Sequence, residues 1–119
     1  MNEKDNEELQ KRSEKIGIEN SIRHVFLCAG PKCVDSNQGD KIWNHLKKIT
    51  SEYNAANPCT VMRTKVNCLR ICRQGPLAVV YPEGLWIKDV DENICNQIVE
   101  NSLLNRQMIS ENVFIEKKL

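Results

Sequence analysis

The sequence predicts an α/β fold with a mixed sheet of about four strands and two main helices, in the order β-α-β-β-β-α. Three observations carry that reading. Short runs rich in β-branched and aromatic residues recur at Ile22–Leu27, Thr60–Val66, Leu77–Tyr81 and Leu85–Val90, the signature of buried strands. One window, Asp40–Tyr53, repeats its apolar residues at helical period. Only Pro82-Glu83-Gly84 separates the third run from the fourth, so those two form a hairpin. An opening βαβ unit, a hairpin and a closing helix make an α/β layer structure, and its crossover is right-handed.

Taken in order, residues 1–20 are mostly charged and polar, with Leu9, Ile16 and Ile18 the large apolar residues after Met1. They read as a polar, partly helical extension with no core of its own. Ile22–Leu27 runs into Cys28 and is broken by Ala29-Gly30-Pro31. In the first helix Ile42, Leu46, Ile49 and Tyr53 share one face, and Asp40 sits in the first turn, where a negative charge suits the macrodipole. Thr60–Val66 alternates Val61, Arg63 and Lys65 with Met62, Thr64 and Val66, which leaves its buried face open. Asp91 is a plausible N-cap for a second helix over Glu92–Leu104, with Ile94, Cys95, Ile98 and Leu103 or Ser102 inward. Residues 105–119 read as an appendix whose one apolar patch is Val113-Phe114-Ile115. The folded domain is therefore placed at 21–104.

The chain has 119 residues, enough for one domain with a modest core. Its 40% hydrophobic and 28% charged content matches a soluble globular protein. No apolar run approaches the ~18 residues of a membrane span. Met1–Gln10 lacks the apolar segment of a signal peptide. The expected setting is the cytoplasm, where thiols stay reduced, so six cysteines point to ligands or catalysts rather than disulfides. The net charge of +1 is unevenly spread: His24–Pro76 holds eight Lys/Arg against three acids. Positive charge thus gathers in the cysteine-bearing segment, either as an ordinary solvated surface or as an offset to thiolates.

Four of the cysteines form two local pairs. Cys28 and Cys33 are spaced C-x4-C, and Cys68 and Cys72 are spaced C-x3-C. Each pair sits in a short loop that follows a strand, and together they make a four-thiolate site suited to an iron–sulfur cluster or zinc. Neither pair has the C-x2-C spacing of thioredoxin-type redox sites or of most zinc knuckles. Ser36 stands where a plant-type ferredoxin would place its third ligand, which excludes that fold. A two-plus-two [2Fe–2S] site stays open, and so does structural zinc.

The pattern of a cysteine pair after the first strand and a C-x3-C pair before the hairpin resembles the thioredoxin-like [2Fe–2S] ferredoxins. The hairpin segment Leu77-Ala78-Val79-Val80-Tyr81-Pro82-Glu83-Gly84-Leu85-Trp86 continues the match, which covers roughly residues 22–104. That family is related to the small cluster-bearing subunit of respiratory complex I. The complex I subunit carries a long helical segment ahead of the fold; about 20 residues precede it here, which favours a free-standing carrier. The resemblance implies a thioredoxin-like core and one [2Fe–2S] cluster per chain, ligated by Cys28, Cys33, Cys68 and Cys72. It also implies one-electron exchange with redox partner proteins, no catalysis of its own, and a homodimer. Backbone N–H groups in Gly30–Lys32 and Leu69–Ile71 are placed to point at the sulfurs, a lever on potential.

The alternatives are a zinc-stabilised binding module and a cluster-based redox sensor. The sensor would need a switchable partner, and the sequence carries no helix-turn-helix signal for nucleic acid. Cys95 reads as a small core residue and Cys59 as an incidental loop thiol. His24 and His45 could imitate a Rieske pair, but the four cysteines outweigh them. Trp43 and Trp86 read as packing or interface residues. Arg70 and Arg73, which flank ligands, are candidates for partner docking or potential tuning.

Overall fold

The computed structural model describes residues 2–30, 34–71 and 73–119. Helix α1 (Glu3–Ile16) starts at Asn2, whose side chain accepts the Asp5 N–H at 2.9 Å. It ends at Gly17 in left-handed backbone, and none of its residues is buried. A short helical turn, Ile18–Asn20, leads into β1 (Ser21–Cys28). Then follow α2 (Ser36–Ala56), β2 (Thr60–Val66), β3 (Leu77–Tyr81), β4 (Leu85–Ile87), α3 (Glu92–Glu100) and β5 (Val113–Glu116).

The sheet order is β2-β1-β3-β4-β5. Strands β1 and β2 are parallel, from Ser21 opposite Thr60 to Cys28 opposite Val66. The remaining pairs are antiparallel, and β3 lies against β1 with Leu77 opposite Cys28. Alternation divides the strands between two faces. Val25, Leu27, Val61, Ala78 and Val80 point to the main core with Ile42 and Leu46 of α2 and Ile94 and Ile98 of α3. Cys28 and Leu77 form a second, smaller apolar cluster with Val66, Leu69 and Phe114. Among the described residues, no helix is long and apolar enough to cross a membrane.

The β-α-β-β-β-α order holds, with differences at element ends. Helix α2 begins four residues before Asp40, because Asp35 caps it by accepting the Gln38 N–H at 3.0 Å. Asp91 caps α3 as expected, accepting the Ile94 N–H at 2.8 Å. That helix stops at Glu100, so Leu103 is exposed and Leu104 is the residue that turns inward. Among the described residues the sheet has five strands rather than four. Val113-Phe114-Ile115, the apolar patch of the expected appendix, lies in β5 on the edge of β4, and Val113 is buried.

Candidate metal centre

The strand register brings the cysteine loops together. Cys28 closes β1 beside Val66 near the end of β2 and Leu77 at the start of β3. Cys68 follows β2 by two residues. Parallel neighbours deliver their exit loops to the same end of a sheet, so the first loop leaves β1 next to the second. The two are in backbone contact at Gly30, where an added Cβ would lie 2.0 Å from the Asn67 carbonyl oxygen. Only a residue without a side chain fits there. The Cys28 thiol points to that same carbonyl, Sγ to O 3.8 Å. Cys33 and Cys72 lie outside the described residues.

The second loop turns its backbone toward a sulfur. Arg70 adopts a left-handed conformation at φ 69, and its N–H donates to Cys68 Sγ at 3.1 Å. A non-glycine residue enters this region at an energetic cost. Here the strain accompanies a donor aimed at a thiol two residues back, within the Leu69–Ile71 segment expected to supply one. Cys28 is fully buried and Cys68 is exposed, so a site built on these two thiols would straddle the surface. Leu77, Val66, Leu69 and Phe114 form an apolar bed beneath Cys28.

These features fit a cluster of iron and sulfide. Soft sulfur donors come from two adjoining loops, a backbone N–H is directed at one of them, and one side stays open for electron exchange. Among the described residues, no group of three or more His, Cys, Asp or Glu side chains is assembled. Of the four cysteines expected as ligands, Cys28 and Cys68 are among the described residues, one in each loop.

Other residues singled out from the sequence are not brought to this centre. Cys59 precedes β2 at the far end of the sheet from Cys68. Cys95 is in the core under α3. Burial, with Asp91 and Glu92 adding to it, pushes its thiol up to about 12, so it stays protonated. His24 stacks on Phe26 at 4.2 Å and bonds to Thr64 Oγ1 at 2.7 Å; burial lowers its pKa. His45 instead bonds to Asn96 of α3 at 2.8 Å, so the two histidines serve different layers and form no Rieske pair. Trp43 lies under Lys47 and Arg63, each 6.0 Å from its ring. Sequence reasoning overlooked Lys88 and Phe114, which line a cavity with Ile71 and Arg73. They come from distant segments, and only the apolar patch around Phe114 gave any signal.

A scan against protein-family models finds no match. A 2Fe-2S ferredoxin of Priestia megaterium is 30% identical over 93 residues, which span 78% of this chain and 70% of that one. The chain belongs to the 2Fe-2S ferredoxin family. A second relative, a 2Fe-2S ferredoxin of Clostridium pasteurianum, is 28% identical over 98 residues, spanning 76% of this chain and 93% of its own length. The thioredoxin-like [2Fe-2S] ferredoxin of Aquifex aeolicus superposes with a TM-score of 0.60 at 22% identity, covering 82% of this chain and 94% of that one. The fold of this ferredoxin is accordingly thioredoxin-like.

Proposed function

We propose that the chain is a one-electron carrier holding one [2Fe–2S] cluster on Cys28, Cys33, Cys68 and Cys72. The observation that carries the assignment is the contact between the two cysteine loops, with the Arg70 N–H aimed at Cys68 Sγ at 3.1 Å. Such a cluster takes up and returns one electron. The protein's own part is to hold the thiolates and stabilise their charge. Arg70 does so through its backbone N–H, and the exposed Arg70 and Arg73 side chains add positive charge nearby. Leu77, Leu69 and Phe114 keep the Cys28 side apolar, which also bears on potential.

In this reading the chain carries electrons between partner proteins and catalyses no reaction. A reducing cytoplasm suits four thiolate ligands. The folding unit runs from residue 21 through β5, so it takes in residues 105–116, with 1–20 outside it. The open face of the sheet, where Phe26, Val66, Leu69, Val79, Tyr81 and Trp86 line an apolar hollow of about 250 Å³, supports a homodimer with that face as its contact.

Anaerobic purification followed by iron, sulfide and zinc analysis, absorption and EPR tests the assignment. We expect two irons and two sulfides per chain, on the order of one cluster's content, and a rhombic EPR signal after reduction. Alanine at Cys28, Cys33, Cys68 or Cys72 should abolish or badly destabilise the cluster, while alanine at Cys59 or Cys95 should leave its spectrum unchanged. Colourless, zinc-loaded protein would sink the carrier reading. A full-strength native spectrum in Cys72→Ala would remove the ligand assignment.

A further inference from the structure

Beside the second cysteine loop lies a cavity of about 280 Å³, lined by Ile71, Arg73, Gln74, Leu77, Lys88 and Phe114. Two cations face a floor of three apolar side chains. The ion pairs among the described residues join Arg12 to Glu8, Arg23 to Glu83, Lys41 to Glu92 and Lys65 to Asp40. Arg73 and Lys88 belong to none of them. Asp89, next to Lys88, pairs with neither cation. Its backbone N–H is instead bonded to the Gln74 carbonyl at 2.8 Å.

The walls are fixed by backbone bonds. Besides that bond, the Val90 N–H donates to the Pro76 carbonyl at 3.0 Å, and the Lys88 N–H to the Asn112 carbonyl at 2.9 Å. The Asn112 side chain returns a bond to the Lys88 carbonyl at 3.1 Å. These tie the second cysteine loop, the end of β4 and the turn before β5 into one unit. The groove is therefore preformed, and binding there loses little order. Ile71, 44% exposed, stands on its rim between Cys68 and Cys72 in sequence.

We propose that this groove docks the electron-exchange partner, and that the partner presents an acidic surface with an apolar side chain at its centre. The proposal rests on the carrier reading. A carboxylate between Arg73 and Lys88 would satisfy both cations. The apolar side chain would seat against Ile71, Leu77 and Phe114, which are arranged as an interface core inside a charged rim. Contact there brings the partner's redox centre beside the second cysteine loop, a short path for one electron. Opposite charges across such a contact mainly accelerate encounter, and salt weakens that effect.

The test uses two defined electron acceptors of opposite charge and high potential, so that transfer from the reduced carrier is downhill to both. One is plastocyanin, an acidic blue-copper protein; the other is cytochrome c, which is basic. In each case one electron leaves the reduced carrier and reduces the acceptor's metal. Stopped-flow rates are measured against ionic strength for the holo-protein and for Arg73→Glu/Lys88→Glu. The absorption spectrum checks that the variant's site is intact, and its measured potential corrects for driving force. We expect the rate with plastocyanin to fall as salt rises, and to fall about tenfold or more in the variant at low salt. The rate with cytochrome c should rise several-fold in the variant. Wild-type rates and salt dependence with plastocyanin in the variant would overturn the docking groove and leave the carrier reading intact. So would a rate change wholly accounted for by a shifted potential, since the cations would then act on the cluster alone. A holo-protein that accepts no electron in an equilibrium titration would instead overturn the carrier reading, and docking with it.

Discussion

At Arg23 a guanidinium is 3% exposed at the start of β1, a placement that needs paired charge and hydrogen bonds. It has both. Nε and Nη2 donate to the Glu83 carboxylate, with Nε–Oε2 at 3.1 Å. Nη1 donates to the carbonyls of Ile98 and Asn101, both at 2.5 Å. The side chain thus ties β1 to the hairpin turn and to the C-terminal end of α3, where a cation suits the helix dipole. Arg23→Met should cost about 3–5 kcal/mol, because it leaves the Glu83 carboxylate and the helix-end carbonyls unpaired. Urea unfolding measures this, and a loss below ~1 kcal/mol would mean that water replaces the guanidinium. Nothing in the sequence marks Arg23, because its carboxylate partner is 60 residues away. The cysteines stand out as candidate ligands for the opposite reason: each pair is local, and spacing alone restricts its chemistry. Cys95 was legible too, because a thiol between Ile94 and Ile98 on a helix face has only the core to enter.

Among the elements, α2 and β5 show where sequence patterns reach their limit. The stretch Ser36-Asn37-Gln38-Gly39 has the composition of a loop, yet it is the first turn of α2. Gly39 is tolerated in a helix there because the turn packs against the first cysteine loop; an added Cβ would lie 2.9 Å from the Ala29 carbonyl oxygen. The strand β5 is four residues long and pairs with β4 from more than twenty residues away, so neither period nor turn signal announces it. Its contribution is expected to be substantial. A chain ending at Asn105 loses the buried Ile109 and Val113 and the Phe114 contact beside Leu77. At about 1.5–3 kcal/mol for each fully buried aliphatic side chain, truncation should lower stability by roughly 3–6 kcal/mol. Equal urea midpoints for the intact and truncated chains would show that β5 is a passive strip.

For the molecule as a whole, layering decides where a second copy can bind. Helices α2 and α3 cover one face of the sheet. Helix α1 buries none of its residues. Phe26, Val79, Tyr81 and Trp86 remain around an apolar hollow on the open face, with Phe26 set edge-on to Tyr81 at 6.4 Å. The C-terminal tail takes the edge of β4, so hairpin-to-hairpin pairing between chains is blocked while the face stays free. A contact through the face suits two-fold symmetry, since the same aromatic residues then meet across the axis. Leu69 of the second cysteine loop lines the same hollow, so the contact would reach that loop, with each cluster held on its own chain's cysteines. Sedimentation equilibrium should find a dimer at tens of micromolar, an order typical of modest interfaces. Tyr81→Arg/Trp86→Glu should convert it to a single chain with an unchanged cluster spectrum. If the intact protein sediments as one chain and dimerises only when shortened to Asn105, the two-fold contact is not native and β5 acts as the guard of an aggregation-prone edge.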